Sequence, residues 1–154
     1  MKRLLPIGIQ SFEKLREGGY LYVDKTKYIY ELVRSGAPTF LSRPRRFGKS
    51  LFLSSLRAYW EGKKELFHGL DIERLENENA DVNEPWEAHP VFYFDFNKEN
   101  FKRTDALETV LAAHLRDWES GLGIKPETDS LAVRFQAVLK NSYEQTGRQA
   151  VVLV

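Results

Sequence analysis

Apolar residues recur at helical spacing in two segments of the first half of the chain. In the first, Asp24 can cap a helix that Gly36 brings to an end. The second runs from Gly48 to about Trp60. The short apolar run at residues 39–41, between the two, is bounded by turn residues and predicts a buried strand. The apolar faces of the two helices consist of Tyr28, Ile29, Leu32 and Val33, and of Phe52, Leu53, Leu56, Tyr59 and Trp60.

An acidic segment and two apolar runs follow. Asparagines and Pro85 interrupt the acidic segment at 71–87, so we expect a surface excursion there with at most short helical turns. The apolar runs at 91–94 and 150–154 predict strands. The first of them has the near-continuous apolar character of a strand that is buried on both faces of a parallel sheet.

Two further helices are predicted between these strands. The first opens with a possible capping box, formed by Asp105 and Glu108, and ends at Gly121 and Gly123. The second spans about residues 130–143. Because strands that alternate with helices imply right-handed crossovers, we expect an α/β fold with a three-layer αβα architecture around a mostly parallel sheet.

The last predicted strand ends in open hydrophobic sequence. Natural C termini usually trail into polar residues at the surface. We therefore expect the natural protein to continue past Val154 and the sheet to be incomplete.

Composition and charge exclude few classes of function. The 154 residues are 42% hydrophobic and 13% aromatic, which argues against disorder, and the net charge of +1 does not favour nucleic acid or a membrane surface as a partner. The chain has no cysteine, no start typical of a signal peptide and no apolar run of about 20 residues. We expect a soluble, cytoplasmic protein in which any basic site is local.

One segment, RPRRFGKS at 43–50, contains candidate chemistry. It ends in Gly48-Lys49-Ser50, as the phosphate-binding motif G-x-x-x-x-G-K-[ST] does, but Arg43 occupies the place of the first glycine. Its predicted position between a strand and a helix is the one that a phosphate-binding loop requires. Since Pro44 restrains its own backbone and that of Arg43, the loop can have a different entrance and still keep its phosphate cradle.

Each residue type in this loop suits the binding of a nucleoside triphosphate with Mg²⁺. Gly48 lets the backbone approach the phosphates, and Lys49, the candidate catalytic residue, reaches the β and γ oxygens. The Ser50 hydroxyl is the candidate ligand of Mg²⁺. Backbone N–H groups and the start of the next helix add partial positive charge. With ATP and Mg²⁺ as ligands, the predicted binding residues are Arg43, Pro44, Arg45, Arg46, Phe47, Gly48, Lys49, Ser50 and Leu51.

Four segments together resemble the AAA-ATPase-like family of bacterial proteins. They are YVDKTKYIYEL (22–32), FLSRPRRFGKSLFLSSL (40–56), the stretch around GKKELFHGLDIE (62–73) and HPVFYFDF (89–96). An RPRRFGKS-type loop is the usual form in that family, so the missing glycine is a family trait. The resemblance covers nearly the whole chain. It implies a P-loop NTPase-like fold in which residues 1–154 form the N-terminal part of a single domain.

The resemblance also implies an activity and partners. In such proteins acidic residues of Walker B type follow a strand like 150–154, and a C-terminal domain resembling PD-(D/E)XK nucleases usually comes later; the 154 residues stop before both. We therefore expect an ATP-binding module that, in the complete protein, is an ATPase coupled to the nuclease-like domain. This chain alone should show no turnover, and apolar surface at the incomplete sheet should favour self-association.

An alternative interpretation makes the loop a non-enzymatic module. Arg43, Arg45, Arg46 and Lys49 can form a basic patch for nucleic-acid phosphates. Such binding would weaken steeply with salt.

Several other residues have both a structural and a functional interpretation. Asp95, after a predicted strand, can orient water or Mg²⁺, although capping of a turn is the simpler role. The segment around Phe12 can fold over the loop towards an adenine, but Phe12 and Tyr22 are more often core residues. Asp24 is most simply a helix cap. The histidines lack the spacing of a metal site, and packing is the expected role of His114 and of the tryptophans.

Overall fold

Helices make up most of the regular structure in the described residues. A computed structural model describes residues 4–79, 86–96 and 104–154, which fall into two units, Met1–Ala88 and His89–Val154. No helix among these residues is long and apolar enough to cross a membrane. The first unit contains α1 (Phe12–Glu17), α2 (Lys27–Ser35), α3 (Lys49–Trp60), a 3₁₀ helix (Lys64–Phe67) and α4 (Asp71–Glu78), and the second contains β1 (Val91–Tyr93), α5 (Ala106–Leu122), α6 (Leu131–Thr146) and β2 (Val151–Leu153).

The second unit is built on a small parallel sheet. β1 pairs with β2 in parallel, and Phe92 lies opposite Val152 in the register. α5 and α6 lie between the two strands in the chain, and Phe92, Leu115 and Val138 form a buried cluster that joins β1 to both helices. The α/β class and the parallel pairing of the two predicted strands are therefore confirmed.

α5 ends at a glycine as predicted, α6 continues to Thr146, beyond its predicted end at about residue 143, and the start of α5 lacks the predicted capping box. α5 and α6 end at Gly123 and Gly147, which both adopt left-handed conformations. Asp105 is the N-cap of α5, yet its side chain makes no capping hydrogen bond. Its φ of −93° and ψ of 1° are not the extended geometry that directs a cap side chain at the first-turn N–H groups, so the capping-box prediction is wrong.

A buried ion pair joins α5 to α6. Arg134 donates from Nε to Oε1 of Glu119 at 2.8 Å and from Nη2 to Oε2 at 2.7 Å. The two side chains are only 11% and 4% exposed. These hydrogen bonds lower the pKa of Glu119 below its usual value, against the opposing effect of burial. Such a doubly bonded pair fixes both the separation and the rotation of the two helices.

Aromatic side chains form the core of the first unit. The ring of Phe12 lies 4.9 Å from that of Phe67 and 5.2 Å from that of Tyr22, and the Phe67 ring lies 5.1 Å from that of Trp86. The Phe12 backbone N–H donates to Ser54 Oγ at 3.0 Å, which ties α1 to α3. Phe12 is fully buried. The core role is thus the correct one for Phe12, and its ring is not available to an adenine.

Residues 39–41 do not form the predicted buried strand. Phe40 is 91% exposed, and none of the three residues is in a strand. The described residues of the first unit contain no strand with which this run could pair. A three-residue apolar run without a neighbouring strand gains no ladder hydrogen bonds, so its backbone stays irregular.

The acidic segment contains a helix, contrary to the prediction of a surface excursion. α4 packs against α2 and buries Ile72 completely. The segment looks solvated in the sequence because its buried residues are few and one of them is charged. Asn83 and Pro85, at which the prediction placed chain breaks, lie outside the described residues.

Side chains from the start of α2 cap α4. Asp24 Oδ2 accepts the Asp71 N–H at 2.7 Å, and Thr26 Oγ1 accepts the Ile72 N–H at 3.1 Å. Asp24 Oδ1 accepts both the backbone N–H and the hydroxyl of Thr26, which holds the two caps together. Leu70, the N-cap residue of α4, has no polar side chain for this task. Asp24 is therefore a helix cap as predicted, but of α4 rather than of α2, whose N-cap is Thr26.

A buried carboxylate joins α2, α3 and α4. Glu76 is only 2% exposed. Its Oε1 accepts the hydroxyl of Tyr59 at 2.7 Å, and its Oε2 accepts Arg34 Nη2 at 3.1 Å. Burial and, after it, the hydrogen bond to Glu76 raise the pKa of Tyr59 well above its usual value. Tyr59 therefore remains a hydrogen-bond donor at any physiological pH.

Candidate phosphate-binding loop

The chain reverses direction tightly between Pro44 and Gly48. The Phe47 N–H donates to the Pro44 carbonyl at 3.4 Å across the turn. Arg46 and Gly48 both have positive φ, 68° and 76°. The left-handed conformation is uncommon for arginine and easy for glycine. When left-handed residues alternate with residues of negative φ, successive backbone N–H groups point to one side of the chain. Anion-binding loops are built in this way.

The loop leads directly into the N-terminus of α3. Gly48 is the N-cap of this helix, and no side chain caps it. The first-turn N–H groups of α3 therefore lack the side-chain acceptor that many helices have, and the helix dipole adds partial positive charge there. A Cβ built on Gly48 would meet no atom within 4 Å. The space beside the loop is open, and Gly48 is required by its φ rather than by crowding.

Lys49 folds back over the loop. Its Nζ donates to the Arg43 carbonyl at 2.8 Å, so the ammonium lies across the loop from the helix start. Ser50 follows in the first turn of α3 and is exposed. Arg45 and Arg46 are exposed at the turn. The structure thus brings Arg43, Gly48 and Lys49 close together in one loop.

The loop is strongly basic. Arg43, Arg45, Arg46 and Lys49 lie within seven residues, and the stretch from Phe40 to Leu53 contains no acidic residue. In residues 4–79, 86–96 and 104–154, none of the four cations forms an ion pair. Their charge is therefore available to an anion.

A cavity of about 240 Å³ lies beside the loop. The loop and the start of α3 line it, together with Leu15 of α1 and two stretches of the N-terminal segment, residues 5–6 and residues 21–23 with Lys25. These stretches of the segment around Phe12 thus border the loop, whereas Phe12 itself lies in the core. The cavity is lined by Leu5, Pro6, Leu15, Leu21, Tyr22, Val23, Lys25, Arg43, Phe47, Gly48, Leu51 and Phe52.

Sequence reasoning missed the aliphatic side of this cavity. Leu5, Leu21 and Val23 lie outside any helix or strand and show no periodicity. The signal that the sequence offers is that they are apolar, and that Leu21 directly precedes the YVDKT stretch while Val23 lies within it. Only folding of the N-terminal segment against α3 brings them to the loop.

The other candidate residues have contacts of their own. The Asp24 carboxylate is occupied by Thr26 and Asp71. Asp95 lies just past β1 in the second unit, and its backbone N and O lie 3.3 Å from His114 Nε2. His114 also contacts the rings of Phe94 and Trp118, so its packing role is confirmed. The described residues contain no group of three or more side chains suited to hold a metal ion.

Comparison with known proteins identifies the family. The family described as "Predicted AAA-ATPase" matches residues 6–154. A protein of Azotobacter chroococcum mcd 1, described as "Uncharacterized protein in vnfD 5'region", is 38% identical over 157 residues, which are 99% of this chain and 28% of that protein. The chain thus spans less than a third of the length of this relative. No solved structure matches the chain. Because the family match includes the loop and nearly every other residue, the chain belongs to the predicted AAA-ATPase family.

Proposed function

We propose that residues 43–51 bind the phosphates of ATP with Mg²⁺, and that the chain is the nucleotide-binding module of an ATPase. The observation that carries the proposal is the left-handed Gly48 at the uncapped N-terminus of α3, with Lys49 folded over the same loop. A helix N-terminus of this kind favours phosphate because its N–H groups and its dipole act together. Membership of the predicted AAA-ATPase family supports the same assignment.

The residues of the loop suit distinct parts of the ligand. Lys49 can exchange its hydrogen bond with the Arg43 carbonyl for hydrogen bonds to the β and γ phosphate oxygens. The exposed Ser50 hydroxyl is an oxygen donor of the type that Mg²⁺ accepts, beside bound phosphate and water. Bound Mg²⁺ would neutralise charge on the phosphate oxygens. Arg45 and Arg46 supply further positive charge at the turn.

ATP hydrolysis and its coupling to a nuclease-like domain belong to the same proposal. The matched Azotobacter protein is far longer than this chain, which covers 28% of it. The three-layer P-loop architecture and the Walker B residues implied by the family resemblance would lie in the complete domain. Phosphoryl transfer depends on positioning and on neutralisation of charge by Mg²⁺, for which Ser50 alone supplies a single ligand.

Calorimetric titration of Mg-ATP tests the proposal. Lys49→Ala removes the ammonium but leaves the backbone cradle, so affinity should fall by about 1.5–3 kcal/mol, the range for hydrogen bonds to charged groups. Lys125→Ala, at an exposed position of the second unit, is the matched control and should bind like the unaltered chain. Circular dichroism checks that both variants fold. Absence of binding at millimolar ATP, or equal affinity in Lys49→Ala, would refute the phosphate role.

The cations of the loop, which form no ion pair within the described residues, also favour a second candidate, the binding of nucleic-acid phosphates. The same titration, repeated with single-stranded DNA at several salt concentrations, separates the two. Phosphate contacts by several cations would weaken binding steeply as salt rises. If DNA protects the loop from proteolysis and ATP does not, the basic-patch function replaces the nucleotide-binding one.

A further inference from the structure

The cavity beside the loop has the size of part of a nucleotide. Its volume of about 240 Å³ is below the roughly 300 Å³ at which sites for drug-sized ligands begin. It can therefore hold a flat heterocyclic base but not a whole nucleoside triphosphate. Arg43 and Gly48 belong to both the cavity and the phosphate loop, so the two spaces adjoin.

The side chains in the wall of the cavity that can form hydrogen bonds are few: Tyr22, Lys25 and Arg43. No side chain in its lining is a carboxylate, an amide or an aliphatic hydroxyl. Tyr22 has the one hydroxyl, which is hydrogen-bonded with Ser55, while burial keeps the pKa of Tyr22 above its usual value. The Leu21 N–H is also occupied, since it donates to the Leu4 carbonyl at 2.9 Å.

The charged side chains that line the cavity are all positive. Lys25 and Arg43 are its two cations, and it contains no acid. Apolar walls next to unopposed positive charge suit a ligand that is aromatic at one end and anionic at the other. A nucleotide has this character, with its base in the cavity and its phosphates at the loop.

We propose that this cavity holds the base of the bound nucleotide and accepts adenine and guanine alike. The proposal rests on the proposed function, because the loop must first hold the phosphates. Adenine and guanine differ mainly in the hydrogen-bond donors and acceptors on their edges. A site built to bond those groups discriminates by factors of roughly 10⁴ or more, whereas apolar walls discriminate by only about 10².

The first test compares three ligands on the unaltered chain with Mg²⁺: ATP, GTP and inorganic tripolyphosphate. We expect the affinities for ATP and GTP to lie within about 100-fold of each other. Tripolyphosphate should bind at least about tenfold more weakly than ATP, because it lacks the apolar contact of the base. A preference for either nucleotide beyond about 100-fold would overturn the lack of discrimination.

The second test fills the cavity. Val23 is 71% exposed, so Val23→Trp should fold normally while its indole occupies the space of the base. It should weaken ATP and GTP by at least about tenfold and leave tripolyphosphate unchanged. Val133→Trp, at a valine of α6 that is 51% exposed, is the matched control and should change none of the three affinities.

The possible failures are distinguishable. If none of the three ligands binds, the proposed function and the base site both fail. If tripolyphosphate binds as tightly as ATP, or Val23→Trp leaves ATP affinity unchanged, the loop still binds phosphate and only the base site is refuted. Thermal unfolding of Val23→Trp, followed by circular dichroism, confirms that a loss of binding comes from a folded protein.

Discussion

At the scale of single residues, Glu119 makes the stability of the second unit depend on pH. Its hydrogen bonds with Arg134 hold its pKa below the usual value, which is about 4.3 in an unfolded chain. Because the folded-state pKa is the lower one, the pair contributes stability above the unfolded pKa, and this contribution is lost as the pH falls through the folded pKa. Arg134 stays charged throughout this range.

We predict that Glu119→Gln makes unfolding less sensitive to acid. The decrease in the free energy of unfolding between neutral pH and a pH of about 3 should be smaller than in the unaltered chain, because the variant has no carboxylate to protonate at that position. Urea unfolding at each pH, followed by circular dichroism, measures the free energy of unfolding. Glu127→Gln, at an exposed glutamate, is the control and should keep the full decrease. An equal decrease in Glu119→Gln would contradict the prediction.

At the scale of elements, α4 depends on caps that come from distant sequence. Asp24→Ala removes the acceptor of the Asp71 N–H and frees the Thr26 side chain. We predict a loss of about 0.5–2 kcal/mol in stability, the usual cost of a lost cap. Hydrogen exchange should quicken at the amides of Asp71 and Ile72, at the start of α4.

The control for this prediction is Asp129→Ala, at an exposed aspartate of the second unit. It should leave exchange in α4 unchanged. If Asp24→Ala also leaves exchange at Asp71 and Ile72 unchanged but abolishes nucleotide binding, the capping role is wrong and Asp24 acts in the site instead.

Local signals predicted some elements well and others poorly. The ends of α2 and α5 were predictable because Gly36 and Gly123 supply the left-handed conformation that stops a helix. α4 was not, because its caps and the partners of its buried glutamate come from other helices. The strand at 39–41 was predicted from apolar composition alone, which does not reveal whether a partner strand lies beside it.

At the scale of the whole molecule, the position of the loop was more predictable than the shape of the cavity beside it. Gly48, Lys49 and Ser50 are adjacent in the chain, so a short motif places them at the start of α3. The cavity is assembled from two separate stretches of the N-terminal segment and the loop, which only the folded chain brings together. The fold class could be predicted because strands and helices alternate in the second unit.

We predict that the chain self-associates as its concentration rises. Phe40 and Phe47 are 91% and 65% exposed in the same segment, and exposed apolar groups of this kind favour association. Sedimentation velocity over a range of concentrations measures the degree of association. Phe40→Ser should shift the equilibrium towards monomer. Tyr143→Ser, at an exposed aromatic of α6, is the control. A monomer at all concentrations, or the same shift in both variants, would contradict the prediction.

The buried junction at Glu76 restricts how relatives can vary. Loss of this carboxylate alone would leave the Tyr59 hydroxyl without its acceptor, at a cost of roughly 1–3 kcal/mol. Replacement of all the partners together by apolar residues of similar volume carries no such penalty. Positions 34, 59 and 76 should therefore change together among relatives. A relative that lacks the glutamate should also lack the arginine and the tyrosine that donate to it.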